Sequence, residues 1–159
     1  MNAFGKKLLP LMVALAGILS VSCTSNLKDK VELVSYSVVS TTVTGPRSAD
    51  AAIRLEVSNK TSSFKVKHIE GTVNLNGLPL AYLTVEPDPV KVKGHVTGIY
   101  DLNVHAVLDE NVSLLRVMTM LTREDYTGVT VDVNCKVRSH GISKRISLKD
   151  QSIAPYFKL

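Results

Sequence analysis

From residue 31 onward the chain repeats with a period of two, and that period restricts it to strands more firmly than any other feature it has. The segment "DAAIRLEVSN" puts Ala51, Ile53, Leu55 and Val57 on one side and Asp50, Ala52, Arg54 and Glu56 on the other. Side chains alternate across a strand, so this pattern describes a strand with one face in a core and one in water. The same spacing predicts a weaker first strand over Val31–Ser40. It predicts a later one over Thr127–Arg138, where Val129, Val131, Val133, Cys135 and Val137 share a face. "KVKGHVTGIYDLNVHAVL" reads as one long strand with Tyr100, Leu102, Val104, Ala106 and Leu108 inward. In "FKVKHIEGTVNLNG" the apolar parity switches from Phe64, Val66 and His68 to Ile69, Gly71, Val73 and Leu75. A bulge near His68–Ile69 would bring both sets inward.

The connections carry their own signals. Asn76-Gly77 predicts a two-residue hairpin, because both residues tolerate the positive φ of a type I′ turn. Pro79 suits the start or the edge of the returning strand "LPLAYLTV". "EPDPV" is a rigid corner, and "SHG" turns the chain into a last strand over Ile142–Lys149. One segment breaks the rhythm: from Asp109 to Asp125, Val112, Leu115, Met118 and Leu121 recur every three residues, with Leu114 and Val117 widening the stripe. That spacing predicts a single α-helix near residues 110–124, capped by Asp109 or Asn111 and closed by Arg123. Seven strands and one helix at these spacings predict a mainly β fold, a seven-stranded antiparallel β-sandwich.

The first residues differ in kind. Lys6 and Lys7 precede Leu8–Ser22, which carries no charge, and Cys23 follows. This is the layout of an export signal. The apolar run, about 15 residues or ~22 Å as a helix, is short of the ~20 residues that a stable bilayer span needs. Its end, "LSVSC", resembles the lipobox of bacterial lipoproteins, whose cysteine becomes the lipidated first residue of the mature chain. Val21 and Ser22 fit that pattern, while Ser20 stands where leucine is commonest. The resemblance implies a signal peptide over 1–22, lipid (palmitate) on Cys23, a lipidated linker over 23–30 and one domain over 31–159. An ordinary secretory cut or a retained membrane helix are the alternatives. Thr24, in place of an aspartate after the cysteine, implies the outer membrane of the cell envelope rather than the inner one. Cys135 reads as a small buried hydrophobe, and the mature chain carries no disulfide framework.

Lys6 and Lys7 are the only charges before Cys23, so their removal takes the formal net charge from +5 to +3. Lys65, Lys67, Lys91, Lys93, Lys136, Arg138, Lys144 and Arg145 alternate with apolar residues, which predicts a solvated strand face with a weak attraction to anionic lipid heads. Five Tyr, three Phe and no Trp do not supply the stacking surface of a nucleic-acid binder, so no nucleic-acid partner is expected. His68, His95, His105 and His140 lack metal-ligand spacing, and no hydroxyl or thiol sits in a nucleophile motif. The expectation is no catalytic residue, no metal and no cofactor.

The order of the pieces "RLEVSNKTS", "GTVNLNGLPLA", "EPDPVKVKG", "NVSLLRVMTML" and "DYTGVTVDVNCKV", with the ending "SIAPYFKL", resembles the late embryogenesis abundant type 2, or water-stress and hypersensitive-response (WHy), domain. Asn59 matches that family's strand-ending asparagine, and Lys60 replaces its proline. The resemblance covers Val31–Leu159 and implies a fibronectin-III/immunoglobulin-like sandwich, a non-enzymatic role tied to stress, and an unknown protein or envelope partner. Two further readings stay open. One is a periplasmic carrier of an apolar or lipid-like ligand, with a cleft lined by Leu115, Met118 and Tyr100; the other is an unrecognised enzyme.

Overall fold

The computed structural model describes residues 30–123 and 126–152. The export signal, Cys23 and the linker up to Asp29, like the tail from Ile153, lie outside the described residues. The described elements are β1 (Val31–Gly45), β2 (Ser48–Asn59), β3 (Phe64–Leu75), β4 (Leu78–Glu86), β5 (Val90–Val92), β6 (Val96–Leu108), α1 (Leu114–Arg123), β7 (Val129–Ser139) and β8 (Ile142–Ser152). The fold is mainly β, antiparallel throughout, with one short helix.

Hydrogen bonding runs in one continuous order, β1-β2-β6-β4-β3-β7-β8, with β5 beside β3. The two arms of the sandwich, β1-β2-β6 and β3-β7-β8, are thus joined through β4. Only Ala81–Thr84 of β4 pairs on both sides, with Leu108–His105 of β6 and with Val73–Glu70 of β3. Beyond Thr84, β4 follows β6 alone, and β5 takes over the vacated ladder along Phe64–Val66 of β3. The inward residues meet in one core: Ala51, Ile53 and Leu55 of β2, Val73 of β3, Leu83 and Val85 of β4, Val104 of β6, and Val129, Val131, Val133 and Cys135 of β7. Each fully buried Val, Leu or Ile stabilises the fold by roughly 1.5–3 kcal/mol relative to leaving it in water. Every described ladder and this core lie within residues 30–152.

The parity expected for β2, β6 and β7 is the parity found. The Asn76-Gly77 hairpin forms as the sequence predicts, with φ 52° and 83°. The turn expected at "SHG" is a two-residue hairpin at His140 (φ 51°) and Gly141 (77°), and a further two-residue turn, Pro46-Arg47, joins β1 to β2. The β3 bulge also falls where the parity switches, with the β3–β7 register shifting between Lys67 and Glu70. His68 itself is the bulged residue, at φ 51°, and it turns to solvent rather than inward. Asp88, in the Pro-rich corner, braces it by accepting from the His68 N–H at 3.3 Å and approaching Nδ1 at 3.1 Å.

Three expectations need correction. The fifth predicted strand is two, so eight strands form rather than seven. Val90–Val92 pairs with β3, the chain turns at Gly94–His95, and Val96 onward pairs with β2. A Cβ on Gly94 would meet the Ser63 nitrogen at 2.5 Å, so only glycine lets the crossover pass this close to the β2–β3 turn. The helix begins later than predicted, and Ser113 holds the cap position, its carbonyl accepting from Val117 N–H at 3.2 Å. Asp109 instead forms an upstream turn, accepting from Asn111 N–H at 2.9 Å, while Arg47 donates to the carbonyls of Asp109 (3.0 Å) and Val112 (2.8 Å). The buried stripe of α1 is Val117, Met120 and Leu121, so Leu115 (76 % exposed) and Met118 (43 %) face water.

β1 is an edge strand, paired with β2 from Val31–Asn59 to Gly45–Ser48. Three register shifts interrupt it, between Leu33 and Ser35, Val38 and Ser40, and Val43 and Gly45. It exposes Val34, Val39 and Val43.

Asn59 ends β2 and is 1 % exposed. Its amide donates to the carbonyls of Lys93 (3.0 Å) and Ser62 (3.3 Å), and its Oδ1 accepts from the Thr61 N–H (2.9 Å) and hydroxyl (2.6 Å). Asn59→Ala would leave buried donors and acceptors unsatisfied, and the expected loss is roughly 2–3 kcal/mol. Urea midpoints compared at unchanged slope measure it. Gly77→Ala meets no steric obstacle within 4 Å, yet must hold φ 83°. It is expected to lower stability by about 1 kcal/mol, through the left-handed backbone alone.

Candidate functional site

The ladders bring together basic residues that lie far apart in the chain. Directly paired residues in an antiparallel sheet share a face, with Cβ atoms about 4.5–5.5 Å apart. Lys65 of β3 stands opposite Lys91 of β5 on one side and Arg138 of β7 on the other. One row along, Lys67 stands opposite Lys136, which in turn stands opposite Arg145 of β8. Lys93 follows Lys91 on the same parity. Seven cations therefore occupy one outward face at one end of the sandwich, four pairs of them in direct like-charge register. The first acidic residue on this face is Glu70, one register step beyond Lys67 and Lys136. Lys144 pairs with Val137 and points to the other side.

This end of the sandwich opens as a groove of about 580 Å³. Lys65, Lys91, Lys93, Arg138 and His140 line it, above the buried Phe64 and Val92. The β7–β8 hairpin is pinned to its rim, with Ser62 Oγ 2.8 Å from His140 Nε2 and Ser139 Oγ donating to the Ser63 carbonyl at 3.4 Å. A smaller depression of about 370 Å³ adjoins the same turn, between Ser58–Lys60 and His95–Thr97.

On the other arm of the sandwich two cross-strand positions are matched instead of repelling. On the β2–β6 ladder Arg54 is paired with Asp101, and its guanidinium grips the carboxylate at 2.7 and 3.2 Å. That hydrogen bond holds the Asp101 carboxyl below the usual carboxylate range and raises Arg54. Four residues along the same ladder, beyond Ala52–Asn103, Asp50 meets the His105 ring. At the far end the Tyr82 hydroxyl donates to Asp109 at 2.7 Å, which lowers the Asp109 carboxyl and raises the phenol. Among the described residues the salt bridge is Arg54–Asp101, imidazole–carboxylate contacts join His68 to Asp88 and His105 to Asp50, and none of these includes a member of the basic face.

The residues named from the sequence fall apart from this site. Cys23 lies outside the described residues. Leu115 and Met118 face solvent, whereas the Tyr100 hydroxyl accepts from Lys93 N–H at 3.0 Å at the crossover, so the three share no buried cleft. The histidines are dispersed, and among the described residues no three His, Cys, Asp or Glu side chains converge as a metal site would require. Sequence reasoning saw each basic residue but not the cluster, because strand order, not spacing along the chain, creates it. The usable signal was the repetition of a basic-Val-basic triplet in three separate segments, Lys65–Lys67, Lys91–Lys93 and Lys136–Arg138.

No family model and no curated protein matches this chain. Among solved structures, the crystal structure of a protein from Archaeoglobus fulgidus is similar at 19 % identity, covering 74 % of this chain and 91 % of that one, with a TM-score of 0.49.

Like charges held directly opposite destabilise a sheet by roughly 0.2–1 kcal/mol per pair. Lys65→Gln, which removes two such pairs, is expected to raise the melting temperature by a few degrees at low salt. The gain should shrink at about 1 M salt, where the Debye length is near 3 Å. Melting curves of both proteins at the two salt concentrations test this.

Proposed function

We propose that this protein is a cell-envelope lipoprotein, held at a membrane by lipid on Cys23, whose sandwich is a non-enzymatic binding module of the late embryogenesis abundant type 2 kind. The observation that carries this reading is that the described fold is already in place at Lys30, seven residues after Cys23. Lys30 and Val31 are already part of the fold: the Lys30 carbonyl accepts from Lys60 N–H at 2.8 Å, and Val31 is 5 % exposed. In the sequence, Thr24–Asp29 separate Cys23 from Lys30, and all but Leu27 are polar or charged. At no more than ~3.3–3.6 Å per residue, that linker holds the domain within about 25 Å of a lipidated cysteine.

Several acyl chains hold a protein at a bilayer stably, each buried CH₂ contributing about 0.8 kcal/mol. With the anchor supplied this way, the sandwich is free to act by contact, and the basic face is its contact surface. Thr24 after the cysteine supports sorting to the outer membrane, and the family resemblance supports a role under water stress.

Cys23→Ser tests the anchor in a bacterial host. The parent chain is expected to incorporate labelled palmitate and to sediment with outer membranes. The variant should lose the label and leave the mature size class. A variant that stays membrane-bound at the parent's mature size would overturn the reading.

A further inference from the structure

We infer that the basic face docks on the phosphate-bearing headgroups of the bilayer to which the chain is tethered, so that the outward face of β5, β3, β7 and β8 lies against the membrane. This deepens the lipoprotein reading and takes the direction of the tether from it.

The chain enters the domain at the basic end. Lys30 is bonded to Lys60 in the β2–β3 turn. The same turn binds the crossover through Asn59 to Lys93 at 3.0 Å and Thr61 to His95 at 2.9 Å, and binds the β7–β8 hairpin through Ser62 and His140. Entry point and basic groove are therefore parts of one hydrogen-bonded assembly. The helix with its exposed Leu115 follows the other end of β6, beside the β1–β2 turn, where Arg47 holds Asp109 and Val112. β1 spans 15 residues between the two ends, on the order of 45–50 Å at ~3.3 Å per residue. A linker reaching about 25 Å lets the basic face, beside the point of entry, lie against the surface.

Charge supplies the second argument. Four direct like-charge pairs would repel one another in an isolated sheet, and a layer of phosphates relieves all four at once. The face spreads its cations over four strands instead of converging them on one point, which suits a layer of headgroups. Each basic side chain near an anionic surface strengthens binding roughly fivefold.

The test uses the chain from Thr24 to Leu159, which lacks Cys23, so binding reports the face and not the anchor. Sedimentation with vesicles of neutral phosphatidylcholine is compared with vesicles carrying roughly a third phosphatidylglycerol, an anionic leaflet of the kind that attracts basic segments. Binding to the anionic vesicles is expected to be at least a thousandfold tighter, and to be lost at about 1 M salt. Lys65→Gln/Lys91→Gln/Arg138→Gln and Lys67→Gln/Lys136→Gln/Arg145→Gln should each weaken it about 100-fold. Arg54→Gln, on the other arm, should leave it unchanged, and thermal melts confirm that the variants fold. Equal binding to neutral vesicles, full binding by both triple variants, or capture of duplex DNA or glycerol phosphate with anionic vesicles ignored would each overturn the inference. Because Cys23→Ser in cells reads only the anchor, loss of vesicle binding with normal lipidation sinks the docking face alone. Vesicle binding without lipidation sinks the tether alone.

Discussion

One side-chain amide holds the two arms of this sandwich in register where no ladder can. At the end of β2 the chain must leave one arm, turn and begin β3 in the other, while β5 gives way to β6 in the opposite direction. Asn59 sits between these two crossings with its donors and acceptor all engaged, on Thr61, Ser62 and Lys93. An asparagine is suited to this because one planar group presents an acceptor and a two-proton donor in opposite directions. Buried as it is, it costs little only while every partner stays in place. Gly94 follows from the same crowding, since the crossover passes the Ser62–Ser63 backbone at a distance that excludes any Cβ.

Period-two spacing made the strands of this protein legible, and the parity of β2, β6 and β7 could be read residue by residue. Turns were equally clear where backbone chemistry decides them, at Asn76-Gly77 and at His140-Gly141. The bulge at His68 announced itself as a change of parity, although which residue would turn outward did not. What escaped was decided by distant parts of the chain. The break at Gly94–His95 is invisible in "KVKGHV" because alternation continues through it, and only pairing partners change. The face of α1 was misjudged for a related reason: with apolar residues at 112, 114, 115, 117, 118, 120 and 121, two neighbouring stripes compete, and the sheet beneath selects Val117–Met120–Leu121.

The charges divide along the same line. Arg54–Asp101 and Asp50–His105 are matched across β2 and β6, as a sheet exposed to water ordinarily arranges itself. Across β5, β3, β7 and β8 the same rule is broken four times in adjoining rows. Such repulsion is tolerable at the surface because water and salt screen it, but it is not a neutral choice. It maintains a local potential that the modest overall charge of the chain conceals.

The edge strand carries a consequence for the company this domain keeps. A flat strand fifteen residues long, with valines exposed along it, would present an even row of backbone donors and acceptors to any other extended chain. Its three bulges break that row at Leu33–Ser35, Val38–Ser40 and Val43–Gly45, so a second copy finds no more than a few consecutive partners before the spacing slips. A bulge also increases local twist and carries the edge away from a straight neighbour. Many copies crowded side by side on one surface can thus stay separate molecules rather than zip into a fibril.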